Sequence, residues 1–507
     1  MANPAVRIGA RGVTRRFGAV LANDAIDFSA VPGAIRGVVG GNGAGKTTLM
    51  RILQGLEQPD EGAVVLNDEP VTLADPADAF ARGVGMVHQE FMLVDELTLL
   101  ENLILGREPV GPGGVIDRDK ALDEARRLAL SAGVELDWGL KVSEAPVHVR
   151  QIVEILRLLY RGADVLILDE PTAVLAPQQV RDLLNLLRRL RDEGRTILFI
   201  SHKLDEVLTV CDAITVLRAG KVVASTTPAE ANAGRLAELM VGETVDFPRR
   251  VPQTRAVEAP LLSLRGVKAL DSRGVERLAG IDLDLRPGEV VGIAGVSGSG
   301  QDEIVAVTTG LRRAAAGRVT IAGKDATSLS VAARRAAGLG YISADRAHEG
   351  LCLAESIAAN VVAGRHRARP FARGGLLRPR TIREHARKAL DRFGVIYRDC
   401  GDAARNLSGG NQQRVVIARE LDRQPRALIA AQPTRGVDIA GAAFIHRQIL
   451  AFAASGGAVL LVSEELEELL TLADRIVVLH RGAIVGEVAG AERSIGRIGR
   501  MMLGEAA

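Results

Sequence analysis

The stretch that decides the fold is "AIRGVVGGNGAGKTTLM", Ala34 to Met50. A short apolar run leads into a glycine-rich turn, and a helix-forming segment follows. The turn fits the pattern G-x-x-x-x-G-K-[ST] in the strand–turn–helix context that a phosphate-binding loop requires. Glycines let backbone N–H groups face phosphate oxygens, while Lys46 is expected at the β- and γ-phosphates and the Thr47 hydroxyl on Mg²⁺. The residues of the turn predicted to bind nucleotide are Gly40, Asn42, Gly43, Gly45, Lys46, Thr47 and Thr48.

A second motif, "DVLILDEP", ends in Asp169, Glu170 and Pro171. Its apolar run predicts a buried strand that delivers both acids to its carboxyl end, where nucleotide sites lie in α/β sheets. Asp169 is then the acid on the Mg²⁺ side, and Glu170 the base that orients the attacking water. The alternative is a pair of acids that caps a helix.

Three further residues complete the candidate site. Gln89, in "GMVHQEF", is predicted to act in catalysis and at the metal, and His202, after the run "TILFIS", to contact the γ-phosphate. Phe17 precedes the phosphate loop and is predicted to stack on adenine, although a single Phe at such a position also suits a hydrophobic core.

The chain contains the same module twice, and each copy has lost something. "APVHVRQIVEIL", Ala145 to Leu156, aligns without a gap with "LSGGNQQRVVIA", Leu407 to Ala418. The same offset places Ala431, Gln432 and Glu464 at the positions of Asp169, Glu170 and His202. In the second phosphate loop, "GVSGSGQD", Gln301 stands in place of Lys and Asp302 in place of Ser or Thr.

The repeat and the length of 507 residues predict two large α/β domains, 5–242 and 261–507, joined by a linker over 243–260 that contains three prolines. Each domain is expected to have a mixed α/β core with a phosphate loop and an inserted helical segment, near 92–160 and 350–420. The net charge of +2 points to no nucleic-acid partner, and three widely spaced cysteines fit reduced thiols. The N-terminus lacks the apolar core of a signal peptide, and no apolar run is long enough to span a bilayer. The basic stretch 364–380 allows a nucleic-acid patch, but a solvated surface near anionic lipid headgroups is preferred, since Phe371 is its single aromatic residue.

The order phosphate loop, Gln loop, "LSGGNQQR", acidic strand and histidine resembles the ATP-binding-cassette family over nearly the whole chain. Two fused cassettes with "GMVHQEFMLV", "ILDEPTAVLAPQ", "GVSGSGQDE" and "AAQPTRGVD" look like the energising subunit of bacterial importers of simple sugars and nucleosides. The "GSGQ" and "AAQPTRG" forms look more like the nucleoside branch than the ribose or galactose branch. The sequence departs from the family at Gly41, where an acid is usual, and at "APVHV", where this subfamily keeps a signature similar to "LSVGE".

In this family, cassettes pair head to tail, so that each ATP lies between the phosphate loop of one copy and the signature of the other. The resemblance therefore gives the first phosphate loop a complete set of partners from the second half: Ser408, Gly409, Gly410 and Asn411. The other composite site combines the altered second loop with Pro146 and His148 in place of Ser and Gly. Every loss falls in one site, which predicts an asymmetric ATPase.

The resemblance also implies partners: two transmembrane permease subunits, an extracytoplasmic solute-binding protein, and a peripheral location at the cytoplasmic face of the inner cell membrane. The helical inserts are the expected permease contacts. One rival function is a tandem ATPase that acts on ribosomes or DNA, which the short linker and the altered second site disfavour. A second rival is a regulatory nucleotide-binding protein with no transport partner, and co-purification with membranes would argue against both rivals.

Overall fold

The computed structural model describes residues 6–242 and 258–504, together with Pro248 and Arg250; inside these ranges it leaves out Ala19, Gln89, Glu90, Ala173, Val174, Ala176, Ser272 and Arg273. The chain divides into two compact units, residues 1–245 and 246–507. Arg250, from the predicted linker, belongs to the second unit, where its buried guanidinium pairs with Asp474 at 3.0 Å.

The strands of the first unit are β1 (Ile8–Phe17), β2 (Val20–Ala30), β3 (Ile35–Gly40), β4 (Glu61–Leu66), β5 (Glu69–Val71), β6 (Val84–Val87), β7 (Val165–Asp169), β8 (Thr196–Ile200), β9 (Ala213–Arg218) and β10 (Lys221–Thr226). Its helices are α1 (Lys46–Leu53), α2 (Pro76–Ala81), α3 (Leu99–Ile104), α4 (Arg118–Ala132), α5 (Val147–Tyr160), α6 (Pro177–Asp192), α7 (Leu204–Val210) and α8 (Ala233–Val241).

A six-stranded sheet in the order β10-β9-β3-β8-β7-β6 forms the core of the first unit. Strands β9, β3, β8, β7 and β6 are parallel, and β10 pairs antiparallel with β9. All five residues of both β7 and β8 are buried, which explains why their sequences are apolar without alternation. The carboxyl ends of β3, β8, β7 and β6 therefore lie next to one another along one edge.

A second, antiparallel sheet in the order β2-β1-β4-β5 was not predicted from the sequence. Its inner side chains, among them Ile8, Ile26 and Val64, pack with α1 and one face of the core sheet in a shared hydrophobic cluster. This sheet supports the phosphate loop, because β2 contacts the turn between β3 and α1.

The second unit repeats this plan. Its strands are β11 (Leu262–Leu270), β12 (Glu276–Leu285), β13 (Val290–Gly295), β14 (Ala316–Ile321), β15 (Lys324–Asp325), β16 (Leu339–Ile342), β17 (Ala372–Arg373), β18 (Leu376–Leu377), β19 (Ala427–Ala431), β20 (Ala458–Val462), β21 (Arg475–His480) and β22 (Ala483–Ala489). Its helices are α9 (Gln301–Thr309), α10 (Val331–Ala336), α11 (Ile357–Val362), α12 (Pro379–Arg392), α13 (Gly409–Asp422), α14 (Ile439–Ala454), α15 (Leu466–Leu472) and α16 (Ile495–Met502).

The sheets of the second unit follow the orders β16-β19-β20-β13-β21-β22 and β12-β11-β14-β15, and β17 and β18 form a separate hairpin. In the part of the chain that the structure describes, three α-helices lie between β6 and the acidic strand β7, α3–α5, and three lie between their counterparts β16 and β19, α11–α13. The predicted α/β fold class with an inserted helical segment in each half is therefore confirmed. Among the described residues, no helix combines the length and apolarity needed to cross a membrane.

Candidate active site

The phosphate loop of the first unit connects β3 to α1. Gly45 caps the start of α1 with a φ of 95°, a left-handed conformation that favours glycine. A Cβ atom at this position would lie 2.2 Å from the Ala22 carbonyl oxygen of β2. The Lys46 ammonium donates hydrogen bonds to the carbonyl oxygens of Gly40, at 2.7 Å, and Gly41, at 3.1 Å. The lysine is thus folded back over the turn whose N–H groups are predicted to bind phosphate.

The two acids and the histidine meet at the same sheet edge as this loop. Strand β8 lies between β3 and β7. Asp169, at the end of β7, pairs in register with Ile200, at the end of β8. Glu170 then takes a φ of 50°, and its N–H donates to the Ile200 carbonyl at 2.9 Å. A non-glycine residue held in this conformation is strained, and such strain clusters at functional sites.

Glu170 and His202 are in direct contact. The Nδ1 atom of His202 lies 3.0 Å from Oε1 of Glu170. Burial raises the pKa of Glu170, but the hydrogen bond and positive charge of His202, with further help from Lys46, outweigh it and leave this pKa below its usual value. The His202 contact thus keeps Glu170 ionised, as a water-orienting base needs to be.

The pKa of Asp169 is shifted in the opposite direction from that of Glu170. Burial raises the pKa of Asp169 to about 6, and the charge of Glu170 adds to the rise while Lys46 opposes it. Burial likewise lowers the pKa of Lys46, against the attraction of both acids. Two adjacent carboxylates with pKa values displaced in opposite directions are typical of sites with divided roles.

The donor set suits Mg²⁺ bound together with a nucleotide. Thr47 is exposed at the first turn of α1, and Asp169 contributes a carboxylate at the same edge. Mg²⁺ prefers oxygen ligands and is usually held by one or two protein groups together with phosphates and waters. Within the described parts of the chain, no cluster of three or more His, Cys, Asp or Glu side chains could hold a metal without such help.

Two of the predicted site residues need separate comment. Phe17 is 43% exposed at the end of β1, so it does not belong to the hydrophobic core, and the guanidinium of Arg15 lies 4.8 Å from its ring centre. Its ring remains accessible for stacking. Gln89 lies outside the described residues; β6, the strand that precedes it, is the neighbour of β7.

The second unit keeps the geometry of the site but replaces its charges. Gln301, at the position of Lys46, is buried and donates from Nε2 to the Val296 carbonyl at 3.1 Å. Gln432 adopts a φ of 45°, as Glu170 does, and its Oε1 accepts a hydrogen bond of 3.2 Å from the backbone N–H of Glu464. Burial raises the pKa of Asp302, and neighbouring Glu303 and Glu349 add to the effect. The cation Lys46 and the base Glu170 of the first unit thus correspond to the neutral amides of Gln301 and Gln432 in the second unit.

The starts of α5 and α13 differ as the sequence predicts. Ser408 caps α13, and its Oγ accepts hydrogen bonds from the backbone N–H of Asn411 at 3.5 Å and from its side-chain amide at 3.0 Å. The N-cap of α5 is Pro146, which makes no side-chain capping bond and has no N–H to donate. An anion can therefore approach the first turn of α13 through Gly409 and Gly410, whereas Val147 and His148 occupy that position on α5.

One residue near α13 was missed by the sequence reasoning. Arg346 is half-buried after β16, and its Nη1 donates to the Arg435 carbonyl at 2.8 Å. A Cβ at Gly409 would lie 2.6 Å from Nη2 of Arg346, so this glycine admits a guanidinium beside the helix start. The repeat alignment could not reveal it, because the corresponding position in the first unit is Phe91.

Comparison with known proteins gives full-length matches. The chain is 40% identical over 97% of its length to the guanosine import ATP-binding protein NupO of Bacillus subtilis, covering 96% of that protein. It is 39% identical to the nucleoside import ATP-binding protein NupA of Lactococcus lactis, with 97% of each chain covered. It is 41% identical to the glucose import ATP-binding protein TsgD13 of Haloferax volcanii, over 97% of this chain and 94% of that one.

The family profile described as ABC transporter matches the chain twice, at residues 23–173 and 278–435. The first match contains the phosphate loop and both acids of the first unit, and the second contains their altered counterparts and the Ser408 helix. The predictions of two fused cassettes and of an ATPase are therefore confirmed, and the chain belongs to the ABC transporter family.

Proposed function

We propose that this chain is the energy-coupling subunit of a nucleoside importer and that it hydrolyses ATP at one competent site. The observation that carries the proposal is the contrast between the units. Lys46, Asp169, Glu170 and His202 converge on one sheet edge in the first unit, while neutral or unsuitable side chains occupy the same places in the second.

The head-to-tail pairing of cassettes in this family would add the helix start at Ser408, Gly409 and Gly410 to the site of the first phosphate loop. Two features of the helix starts support this assignment. The Ser408 helix presents open backbone N–H groups at its positive end, which suits a terminal phosphate. The helix start at Pro146 has lost these features, and it would join the phosphate loop that has lost its lysine.

The residues of the first unit divide the work of hydrolysis. Lys46 and the backbone of the loop would hold the phosphates, while Thr47 and Asp169 would hold Mg²⁺, which would supply positive charge to neutralise the phosphates. Glu170 orients the attacking water and accepts its proton, and His202 fixes the carboxylate through their 3.0 Å contact. Phe17 would stack on the adenine, and Gln89, which lies outside the described residues, is proposed to act at the metal and in catalysis.

Nucleosides are the favoured solutes because the "GSGQ" and "AAQPTRG" forms agree with the names of the relatives NupO and NupA, which are guanosine and nucleoside import ATP-binding proteins. A simple sugar is the second candidate, since TsgD13 is 41% identical and is named for glucose import. In either case the partners are two permease subunits and an extracytoplasmic solute-binding protein, with the chain peripheral at the cytoplasmic face of the membrane. The helical inserts α3–α5 and α11–α13 are the proposed permease contacts.

Uptake of labelled uridine, adenosine, ribose and glucose by cells that lack this chain tests the proposal. Wild type should restore nucleoside uptake, and Lys46→Ala should not. Gln301→Ala, the matched change in the second unit, should restore it nearly as well as wild type. Loss of sugar uptake alone would replace nucleosides by sugars, and unchanged uptake of every solute would refute the import function.

A further inference from the structure

A short arginine-rich segment of the second unit lies within the helical insert α11–α13 but takes no part in the ATP site. It comprises residues 364–380, "GRHRARPFARGGLLRPR", which follow α11 and extend into the first turn of α12, and we call it the basic hairpin because β17 and β18 form its tip. It contains six arginines and no acidic residue. Gly374 and Gly375, with φ of 59° and 81°, form the two-residue turn between the strands.

Most of the charge on the basic hairpin is exposed and unneutralised. Arg365 pairs with Asp422, and Arg380 pairs with Glu384. Within the described residues, the other four arginines form no ion pair with an acid, and all four are exposed: Arg367, Arg369, Arg373 and Arg378. They form a compact source of positive potential on a chain whose net charge is only +2.

The tip of the basic hairpin is apolar. Leu376 is 77% exposed and Leu377 is 52% exposed, and they are flanked by Arg373 and Arg378. These two adjacent leucines, directly after the tight turn, keep more than half of their surface exposed to solvent. Aliphatic side chains between cations are the arrangement that inserts at the boundary between lipid headgroups and acyl chains.

The base of the basic hairpin is fixed to the helical insert. Phe371 is 3% exposed, and its ring packs edge-on against His385 with centres 4.9 Å apart. His385 in turn contacts Asp422 at 2.8 Å, which anchors the segment to α13. The folded unit therefore presents the tip on a rigid base, and the single aromatic ring of the segment is turned inward.

The first unit has a hairpin at the same place without the charge. Residues 106–122 contain three basic and three acidic residues, and Val110 and Ile116 form the bridge that closes it. Val110, Val115 and Ile116 are 65%, 69% and 46% exposed. An exposed aliphatic tip thus occurs in both units, and the excess of positive charge distinguishes the second.

We propose that the basic hairpin docks on a surface of anionic phospholipid, with Leu376 and Leu377 entering the headgroup region and the four free arginines binding lipid phosphates. Nucleic acid shares the phosphate chemistry, but single-stranded binding relies on exposed aromatic rings for stacking, and Phe371 is buried. The two leucines would find no partner on a phosphate backbone, whereas a bilayer accommodates them.

The test is flotation of the purified full-length chain with vesicles of phosphatidylcholine, with or without phosphatidylglycerol, at low and high salt. Wild type should bind only the anionic vesicles. Each arginine near an anionic surface strengthens binding about fivefold, so changing Arg367, Arg369, Arg373 and Arg378 to Gln should weaken it by roughly several hundredfold. Leu376→Ser with Leu377→Ser should weaken mainly the part of the binding that survives high salt.

A matched variant separates the local patch from net charge. Changing four exposed arginines of the first unit to Gln removes the same charge elsewhere and should leave vesicle binding near wild type: Arg11, Arg126, Arg127 and Arg181. Equal loss in both variants, or binding of single-stranded RNA in preference to anionic vesicles, would overturn the proposal. ATP hydrolysis by each variant verifies folding. Because vesicle binding and solute uptake are measured apart, either proposal can fail without the other.

Discussion

Alanine at Gly45 should destabilise the first unit and abolish nucleotide binding, whereas alanine at Gly43 in the same turn should do much less damage to folding. Both glycines have a positive φ, 95° at Gly45 and 76° at Gly43. A Cβ at Gly43 meets no atom within 4 Å, while one at Gly45 would lie 2.2 Å from the Ala22 carbonyl oxygen and 2.6 Å from the Asn23 amide nitrogen. The two substitutions therefore share backbone strain and differ in steric clash.

The difference in magnitude follows from these contacts. A non-glycine residue in the left-handed region costs about 1–2 kcal/mol, which is the whole expected effect on stability at Gly43. At Gly45 the clash is with backbone that cannot rotate away, and overpacking of this kind adds about 1–3 kcal/mol. The change also disturbs the 3.1 Å hydrogen bond from Asn23 to the Gly45 carbonyl, for about another 1 kcal/mol. Gly45→Ala should thus be destabilising by roughly 2–4 kcal/mol more than Gly43→Ala.

Urea unfolding followed by tryptophan fluorescence measures this difference. Trp138 is the single tryptophan of the chain and is buried in the first unit, so its signal reports on that unit. A fluorescent ATP analogue measures binding on the same samples. Equal unfolding free energies for the two variants, or normal ATP affinity in Gly45→Ala, would refute the claim that β2 holds the phosphate loop in shape.

Three further results are expected. The kcat/KM for ATP, which reports on the free enzyme, should fall as pH drops through about 6, because burial raises the pKa of Asp169 and a protonated carboxyl group cannot hold Mg²⁺; a kcat/KM profile that stays flat down to pH of about 4 would contradict this. His202→Ala should lower kcat and move the acidic limit of the profile to higher pH, because Glu170 loses the partner that keeps its pKa low, while Glu464→Gln should leave kcat near wild type. Phe17→Ala should raise the Kd for ATP about tenfold through lost stacking and hardly change the unfolding free energy, since the ring is 43% exposed; an unchanged Kd would assign the ring another role.

The chemistry of the first unit could be predicted because it depends on local patterns. The phosphate loop follows an apolar strand, and Asp169 follows another, so the rule that nucleotide sites lie at the carboxyl ends of strands is enough to place Lys46 and Asp169 together. The structure adds the 3.0 Å contact between His202 and Glu170, which two strands in parallel register produce. Sequence spacing alone predicts that His202 and Glu170 lie at the same edge of the sheet, but it does not predict that they are in contact.

The antiparallel sheets could not be predicted, because their strands pair over long distances and are only partly buried. Strand β1 pairs with both β2 and β4, and several register shifts interrupt its pattern of alternating burial. The behaviour of Gln301 was also hidden in the sequence. The sequence shows that neutral Gln301 replaces the lysine of the loop. It does not show the hydrogen bond from Gln301 to the Val296 carbonyl, by which this neutral side chain stabilises the second phosphate loop.

The central claim is that only one of the two cassettes hydrolyses ATP. Glu170→Gln retains the size of the side chain and its contact with His202 while removing the base, so turnover should fall by about 10²- to 10⁴-fold with ATP binding intact. The most direct measurement is the number of ATP molecules trapped per chain by this variant in complex with its membrane partners, counted with radiolabelled ATP after rapid filtration. One trapped ATP per chain is expected; continued ATP hydrolysis by the second unit of this variant would contradict the claim.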